Sequence, residues 1–365
     1  MDGSDDDVGG PVGDPAGAPA DGERRRAGGA DVAARPRIAL AMMDGMLGYG
    51  LRPEHLDRLA EIGELVDPEP LTTFDDERAA AVLADADVLV GHWGCPTLTA
   101  AALAKAPHLR LFAYAAGTVK WQVTDAVFER GVVVTSAASA NAVPVAEYTV
   151  GVILLVNKGV FLFAAIERDP DAVVPLDPVR VGNVGKRIGL VGASHVGRHV
   201  IELLRPYRLE VAVADPYLST EEAERLGVTK MRLDELCSWC DVLSLHAPDI
   251  EATRGMVGRT QLGRLRDGAT VVNTARGALI DQDALTEELV AGRLAAVLDV
   301  SVPEPLPPDS VLRRLPNVVL TPHVAGAVGR EVDRLADLAV DEVRRYATGE
   351  PPRFPVRRED LDRIA

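Results

Sequence analysis

The sequence predicts an α/β protein with two open, parallel-sheet domains. Its 365 residues exceed the roughly 250 at which a single hydrophobic core usually stops growing. From Arg37 onward, short apolar runs alternate with longer amphipathic runs, as stacked β-α-β units require. The apolar runs are rich in Val, Leu and Ile and show little alternation, which is typical of parallel strands covered on both faces.

The predicted strands fall into two series. Those of the first series lie at residues 38–42, 88–92, 109–114 and 132–136, with helices at 54–62 and 98–105. Those of the second series lie at 187–191, 210–214, 242–246, 270–273, 295–300 and 318–320. One long apolar helix is predicted between the series at 141–166. A further helix from Gly326 to about Tyr346 is expected to pack back on the first domain.

Composition and charge limit the classes of partner. Hydrophobic residues make up 47% and charged residues 26% of the chain, which is the profile of a soluble globular protein. The net charge of -16 opposes binding to nucleic acid or to an anionic membrane. The apolar stretch at 151–166 is shorter than the roughly 20 residues of a membrane span, so we expect a buried core helix there.

The amino-terminal segment and the cysteines carry no predicted chemistry. Residues 1–35 are rich in Gly, Asp, Ala, Pro and Arg without apolar periodicity, so we predict a disordered tail. Acidic residues stand where a secretory signal would carry positive charge, so a cytoplasmic location is expected. Cys237 and Cys240 have C-x-x-C spacing without a second ligand pair nearby, and we expect buried helix-end thiols and no metal site.

A glycine-rich loop follows the first strand of the second series. The run Gly192-Ala-Ser-His-Val-Gly197 lies between that strand and an amphipathic helix predicted at 196–204, which is the context of a dinucleotide fingerprint. Its first glycine allows the tight turn, and its last lets the helix pack on the strand. Ser194 replaces the glycine at which the pyrophosphate approaches the backbone, so we expect the phosphates to lie slightly further out. The helix N-terminus still offers free N–H groups to them.

Asp215 indicates which dinucleotide is bound. It lies eighteen positions after Gly197 at the end of the next strand, where a carboxylate accepts hydrogen bonds from both ribose hydroxyls. The same carboxylate would repel a 2′-phosphate, and no arginine follows within the next several residues. The sequence therefore predicts NAD as the cofactor in preference to NADP. A glycine pattern that merely shapes a turn is the weaker alternative in this context.

Three polar segments follow later strands of the second series, at the edge where ligands bind in open α/β folds. They contain Arg276, Glu304 and His323. Arginine pairs with a carboxylate by two hydrogen bonds and polarises a neighbouring carbonyl. Histidine delivers a proton to the carbonyl oxygen, and a nearby carboxylate favours its protonated form. Hydride transfer to a 2-oxo acid requires these three groups, so we predict them as the catalytic set.

From about Arg37 to Tyr346 the chain resembles the D-isomer-specific 2-hydroxyacid dehydrogenase family. The resemblance is carried, in the family's order, by the loop from Gly192 to Gly197, by Asn273-Thr-Ala-Arg-Gly277, by Asp299 to Glu304-Pro305 and by Thr321-Pro-His323. It implies a Rossmann-type NAD domain at 139–325, inserted into a flavodoxin-like substrate domain at 36–138 and 326–365. It also implies a homodimer and a 2-oxo or 2-hydroxy acid of the D series as substrate.

The same resemblance assigns roles to further residues. Those implied to bind the cofactor are Gly192, Ser194, His195, Val196, Gly197, Asp215, His246, Ala247, Pro248, Thr274, Ala275, Asp299 and Gly326. Those implied to bind the substrate are Ala116, Gly117 and Arg276, the first two through the backbone. Asp299 is implied to lie at the nicotinamide carboxamide, and Asn141 and Glu147 fit the family's helix-opening run.

Two segments depart from the family pattern. The loop after Gly117 reads Thr-Val-Lys-Trp-Gln where an Asp-Asn pair is usual, and Ser301 and Val302 stand where an aromatic residue and often an acid are usual. The particular substrate is therefore left open. We expect Lys120 on that loop to be solvated, as most loop lysines are, and a positive charge at the pocket mouth is the alternative.

The main alternative function is an NAD-sensing, corepressor-like scaffold without significant turnover. The sequence favours the enzyme because all three reacting groups are present. A formate-type dehydrogenase is less favoured because Glu304 supplies a proton relay that formate oxidation does not use. The short segment after Tyr346 argues against a phosphoglycerate dehydrogenase that carries a regulatory domain.

Overall fold

The structure is a computed structural model that describes residues 35–361 and 364. The predicted tail at 1–35 lies, apart from Arg35, outside the described residues. The strands are β1 (Arg37–Ala41), β2 (Glu64–Leu65), β3 (Val88–Gly91), β4 (Leu111–Tyr114), β5 (Val133–Ser136), β6 (Arg187–Val191), β7 (Glu210–Ala214), β8 (Thr229–Lys230), β9 (Val242–Leu245), β10 (Thr270–Asn273), β11 (Ala295–Leu298), β12 (Val318–Leu320) and β13 (Pro355–Val356). The helices are α1 (Pro53–Ile62), α2 (Glu77–Asp85), α3 (Ala100–Lys105), α4 (Asp125–Glu129), α5 (Ala138–Asn157), α6 (Val160–Arg168), α7 (His195–Leu204), α8 (Thr220–Leu226), α9 (Leu233–Trp239), α10 (Arg259–Arg264), α11 (Gln282–Val290) and α12 (Asp333–Ala347).

The first sheet has the strand order β13-β5-β4-β3-β1-β2. When the edge strand β13 is left out, the remaining order is the flavodoxin-like one, in which the direction of winding reverses between β1 and β3. The sequence predicted a parallel sheet, but the edge strand β13 runs antiparallel to β5. The buried carboxylate of Glu342 accepts hydrogen bonds from the amides of Arg353 and Phe354, which aligns the segment that leads into β13.

The carboxyl-terminal helix α12 packs on this first sheet. It contacts α1 and β4. Two ion pairs join α1 and its flank to α12: Arg52 to Asp333, at 2.5 Å, and Arg58 to Asp337. The chain thus returns to the first sheet as expected, although α12 begins at Asp333 and not at the predicted Gly326.

The second sheet has the strand order β12-β11-β10-β9-β6-β7-β8, and all of its paired strands are parallel. This is the Rossmann order, and it reverses between β6 and β9. Successive residues of a strand point to opposite faces of the sheet. In β9, Leu243 lies in the core cluster on one face and Val242 in the cluster on the other. Helices thus cover the sheet on both faces, which explains why its strands read as continuous apolar runs.

The prediction of one helix at 141–166 is wrong. The chain forms two helices, α5 and α6, separated at Lys158 and Gly159. Gly159 has a φ of +67°, a left-handed conformation that ends a helical path and that glycine adopts without strain. α5 begins at Ala138, before the predicted start at residue 141, and with 20 residues it meets a length and hydropathy test for a membrane span. That test is weak evidence, because core helices pass it too, and α5 packs against α7, α6 and α12.

Candidate active site

The glycine-rich loop lies at the reversal point of the second sheet, between the end of β6 and the start of α7. Gly192 has a φ of +100°, and a Cβ atom on it would lie 2.8 Å from the amide nitrogen of Ala247. A Cβ on Gly197 would lie 2.2 Å from the carbonyl oxygen of Gly192. Neither position has room for a side chain, so the two glycines let the loop, the helix and the neighbouring strand end pack together.

The loop is closed by two polar side chains. Ser194 is the N-cap of α7, and its Oγ accepts a hydrogen bond from the amide of Gly197 at 3.4 Å. Asp215, directly after β7, accepts from the amide of Ala193 at 2.7 Å and from that of Tyr217 at 2.7 Å. Each carboxylate oxygen has a further lone pair, so Asp215 can still accept a ribose hydroxyl. The carboxylate thus lies beside the phosphate loop, as a ribose-binding group must.

The opposite wall of this crevice is the segment after β9. The amide of His246 donates to the carbonyl of Val191 at 2.7 Å, which joins the two strand ends. The imidazole of His246 is buried, with Nε2 3.0 Å from the hydroxyl of Ser244. Burial lowers the pKa of His246 to about 3, so the ring is neutral. The buried imidazole therefore does not face the crevice, and His246 borders it through its backbone.

This crevice fits a dinucleotide. Gly192 and Gly197 leave a space that a Cβ atom on either residue would fill. This space lies at the N-terminus of the ten-residue helix α7. The first amides of a helix have no partner within the helix and attract anions. His195 and Val196 supply such amides. These residues therefore suit a pyrophosphate at the loop and a ribose at Asp215.

The side chains of His323 and Glu304, which the sequence predicts as an acid-base pair, lie in contact. The Nδ1 atom of His323 lies 2.6 Å from Oε1 of Glu304, and the two side chains are 48% and 41% exposed. His323 has a φ of +56°, the one positive φ on a non-glycine residue among those described. Such a conformation costs free energy and persists only where the surroundings hold it. Because Nδ1 is engaged by Glu304, Nε2 is the ring nitrogen left to face a substrate.

Arg276 approaches this pair from the loop after β10. A Cβ atom on Gly277 would lie 2.4 Å from the backbone of Ser301, so the loop that carries Arg276 touches the loop that leads to Glu304. Burial lowers the pKa of Arg276, while the charges of Glu304 and Asp249 raise it. A guanidinium stays protonated in proteins despite such a shift. The structure thus brings together the three residues predicted from sequence at one edge of the sheet.

Asp299 holds the His323 loop. Its Oδ1 accepts hydrogen bonds from the hydroxyl of Thr321 at 2.6 Å and from the amide of Val324 at 2.9 Å, and its Oδ2 accepts from the amide of Ala325 at 2.9 Å. The side chain is buried. The sequence did not indicate this intramolecular role, because the three donors lie more than twenty positions away.

The predicted substrate loop lies close to the end of the His323 segment. Asn141, near the start of α5, accepts a hydrogen bond from the amide of Ala327 at 2.9 Å. A Cβ atom on Gly326 would lie 3.1 Å from Oδ1 of Asn141, and one on Gly117 would lie 3.6 Å from its Nδ2. Asn141 therefore stands between Gly117, which follows Ala116 after β4, and Gly326. Glu147 of the same helix pairs with Arg334 of α12 at 3.9 Å.

The expectation that Lys120 is merely solvated is wrong. Its side chain is partly buried, and Nζ donates to the carbonyl oxygen of Asp249 at 3.2 Å. Lys120 follows β4 of the first sheet, whereas Asp249 follows β9 of the second. Asp249 also acts on the pKa of Arg276. The lysine thus joins the two halves of the cleft close to the predicted carboxylate-binding residue, a contact that local sequence cannot show.

The C-x-x-C cysteines lie where the sequence placed them, at the end of α9 in the core. Cys237 and Cys240 are both fully buried. Burial raises the pKa of Cys237 to about 12 and that of Cys240 higher still, so both are thiols at neutral pH. Within residues 35–361, no cluster of three or more side chains suited to a metal ion was found.

The fold and the site define a two-domain α/β protein with a dinucleotide crevice and, beside it, an arginine and a His-Glu pair. The sequence profile of the family described as D-isomer specific 2-hydroxyacid dehydrogenase, NAD binding domain, matches residues 174–325. A glyoxylate reductase of Korarchaeum cryptofilum is 32% identical over 273 residues, which cover 73% of this chain and 82% of the relative. The chain belongs to the D-isomer-specific 2-hydroxyacid dehydrogenase family, and the cofactor of its crevice is a nicotinamide dinucleotide.

Longer relatives and a solved structure agree. A D-3-phosphoglycerate dehydrogenase of Methanocaldococcus jannaschii is 33% identical over 309 residues, which cover 82% of this chain and 57% of the relative. The chain thus spans about half the length of the curated relatives it matches. A crystal structure from Thermus thermophilus superposes with a TM-score of 0.70 at 30% identity, covering 88% of this chain and all of that one.

Proposed function

We propose that the protein reduces a 2-oxo acid to the D-2-hydroxy acid, and catalyses the reverse reaction, with Arg276, Glu304 and His323 as its catalytic residues. The observation that carries this proposal is the 2.6 Å contact of His323 with Glu304 beside Arg276, at the sheet edge that holds the dinucleotide crevice. A bound nicotinamide supplies or accepts the hydride. The chain's own groups must bind the carboxylate and move one proton.

Each of the three residues has a separate task. The Arg276 guanidinium binds the substrate carboxylate through two parallel hydrogen bonds and polarises the adjacent carbonyl. The His323 Nε2 atom holds the proton that the carbonyl oxygen takes up during reduction. Glu304 fixes the orientation of the ring through its contact with Nδ1. In the oxidative direction the same Nε2 atom, unprotonated, accepts the hydroxyl proton.

We propose NAD as the preferred dinucleotide, together with the cofactor-binding residues predicted from sequence. Support comes from Asp215, which holds the phosphate-loop amide of Ala193 and would place a negative charge against a 2′-phosphate. No arginine lies between Asp215 and Arg225 to neutralise such a phosphate. Asp299 has about four lone pairs, three of which accept internal hydrogen bonds, and the one left on Oδ2 can accept the nicotinamide carboxamide.

We also propose the predicted domain division at 138/139 and 325/326 and a homodimer. The two separate sheets, with α12 and β13 on the first one, support the division. The dimer is supported by exposed apolar residues: Phe163 on α6 is 42% exposed, and Val173, Val179 and Val184 in the segment after it are 76%, 92% and 77% exposed. Exposed apolar residues mark protein interfaces where they are contiguous. The cytoplasmic location stays a prediction.

The test is a substrate panel with purified protein. NADH and NADPH oxidation would be followed with glyoxylate, pyruvate, hydroxypyruvate, phosphohydroxypyruvate and bulkier 2-oxo acids. We expect turnover of at least one acid, with NADH preferred over NADPH. Tight NADH binding without turnover of any acid would favour the corepressor-like scaffold. A preference for NADPH would contradict the role proposed for Asp215.

A further inference from the structure

Two adjacent hydroxyl-bearing residues lie directly before the apolar second half of α5. Tyr148 and Thr149 are followed by valine, glycine, isoleucine and leucine residues up to Asn157. Thr149 is fully buried and Tyr148 partly buried. α5 packs against β10, whose end carries the Arg276 loop. Polar groups buried in a helix interface are hydrogen-bonded as a rule, and the partners of these two lie on two different catalytic loops.

The Tyr148 side chain reaches the loop that carries His323. Its Oη lies 2.8 Å from the hydroxyl oxygen of Thr321, and that hydroxyl donates to Asp299 at 2.6 Å. Threonine has one hydroxyl proton, so Tyr148 must be the donor in its bond to Thr321. Burial and the charge of Asp299 raise the pKa of Tyr148, although its bond to Thr321 lowers it. The phenol therefore keeps its proton.

Through Asp299, these hydrogen bonds hold the backbone on both sides of His323. Thr321 precedes His323 by two positions, and the amides of Val324 and Ala325, directly after it, donate to the same Asp299 carboxylate. The residue between these anchors has the left-handed φ of +56°. Because that conformation is not self-supporting, the anchors determine where the imidazole lies.

The Thr149 side chain reaches the loop that carries Arg276. Its hydroxyl donates to the carbonyl of Val145 at 2.7 Å and lies 3.0 Å from the hydroxyl of Thr274. The single proton of Thr149 is used within α5, so Thr274 is the donor in the bond between the loop and the helix. Thr274 is the first residue of the Arg276 loop. The side chain of Asn273 holds this loop, because it accepts a hydrogen bond from the amide of Ala275 at 3.1 Å and donates one to the carbonyl of Arg276 at 2.9 Å.

We propose that Tyr148 and Thr149 are positioning residues that fix the two catalytic loops separately: Tyr148 the proton donor His323, and Thr149 the carboxylate-binding Arg276. This inference rests on the proposed function, because the roles of His323 and Arg276 do. Neither residue touches the reacting atoms. Each acts on the alignment of a catalytic group, and small displacements of such groups reduce the rate strongly.

The experiment uses single-atom or isosteric changes. Tyr148→Phe should lower kcat for the oxo acid by about 3-fold to 10-fold, the effect of one hydrogen bond, with KM within about twofold of wild type. Thr149→Val should raise KM for the oxo acid by a similar factor of about 3 to 10 with a smaller effect on kcat. Thr149→Ser keeps the hydroxyl and should restore KM. Tyr207→Phe, an exposed tyrosine after α7, is the matched control and should leave both constants unchanged.

A second readout does not depend on turnover. Amide hydrogen exchange of residues 321–327 should accelerate in Tyr148→Phe while that of 273–277 is preserved, and the reverse should hold in Thr149→Val. If wild type reduces no oxo acid, the proposed function fails, but this exchange pattern still decides the anchoring. Equal changes in both segments and both kinetic constants for either variant would show a general loosening of α5 and overturn the inference. Unchanged kinetics and exchange in both variants would overturn it as well.

Discussion

Two neighbouring regions at the same edge of the second sheet are shaped by different means. The dinucleotide loop depends on missing side chains, because Gly192 and Gly197 leave no space for a Cβ atom. The catalytic loops depend on individual polar atoms, such as those of Asn273 and Asp299, which hold the backbone around Arg276 and His323. We therefore expect the first region to fail when a methyl group is added, and the second to fail when one polar atom is removed.

Removal of the imidazole should have the largest effect. His323→Ala should lower kcat by about 10²-fold to 10⁴-fold, the usual contribution of a positioned general acid. NADH affinity should stay within about twofold, because the ring lies outside the glycine loop. Steady-state kinetics and NADH fluorescence titration measure the two quantities. A variant that keeps more than a tenth of wild-type kcat would show that His323 is not the proton donor.

Addition of one methyl group should damage the other region. Gly192→Ala forces a left-handed φ on alanine and places its Cβ against the Ala247 amide, so NADH affinity should fall about tenfold or more and stability by about 1–3 kcal/mol. Gly227→Ala is the matched control, since Gly227 has a φ of +73° with nothing within 4 Å of a built Cβ. Urea unfolding and NADH titration separate the two effects. Equal NADH affinity in both variants would contradict the close packing of the loop.

The two regions also differ in how far the sequence predicts them. The glycine loop could be recognised because its constraint is local: the spacing from Gly192 to Gly197 and the adjoining strand and helix lie within one short segment. The bonds that align the catalytic loops join residues far apart, Tyr148 to Thr321 across 173 positions and Thr149 to Thr274 across 125. No pattern within a sequence window reports such pairs. The one available signal was a pair of hydroxyl residues directly before the apolar second half of α5.

The fold shows the same division. The central strands were predicted because they bury both faces and therefore appear as continuous apolar runs of four or five residues. The edge strands β2, β8 and β13 were missed, since each has two residues and is set by its neighbour in the sheet. The break between α5 and α6 was missed as well, because the apolar run from Val160 to Phe163 resumes directly after Gly159 and continues the helical pattern.

Removal of a charge while shape is kept gives a smaller effect in the catalytic region. Glu304→Gln keeps a side chain of the same shape beside His323 Nδ1 but replaces the charged carboxylate by a neutral amide. The weaker hydrogen bond orients the imidazole less firmly, so kcat for oxo-acid reduction should fall about 3-fold to 10-fold while NADH affinity stays within about twofold. Steady-state kinetics and NADH titration measure the two quantities, and an unchanged kcat would remove Glu304 from the catalytic set.

The smallest expected effect concerns the dinucleotide region. Partial burial and then the neighbouring His199 and Arg198 lower the pKa of His195, the first residue of α7, so its ring is neutral at pH 7 in the free protein. A pyrophosphate at this helix N-terminus favours the imidazolium, so cofactor binding raises that pKa. The gain in affinity is fully present below the pKa of the free protein and is lost as pH rises through the pKa of the complex. NADH should therefore bind a few-fold more tightly at pH 6 than at pH 8, with proton uptake measurable by calorimetry in two buffers. His195→Gln should flatten this dependence. His108→Gln, at an exposed histidine after α3, should preserve it, and equal slopes in all three proteins would place His195 away from the phosphates.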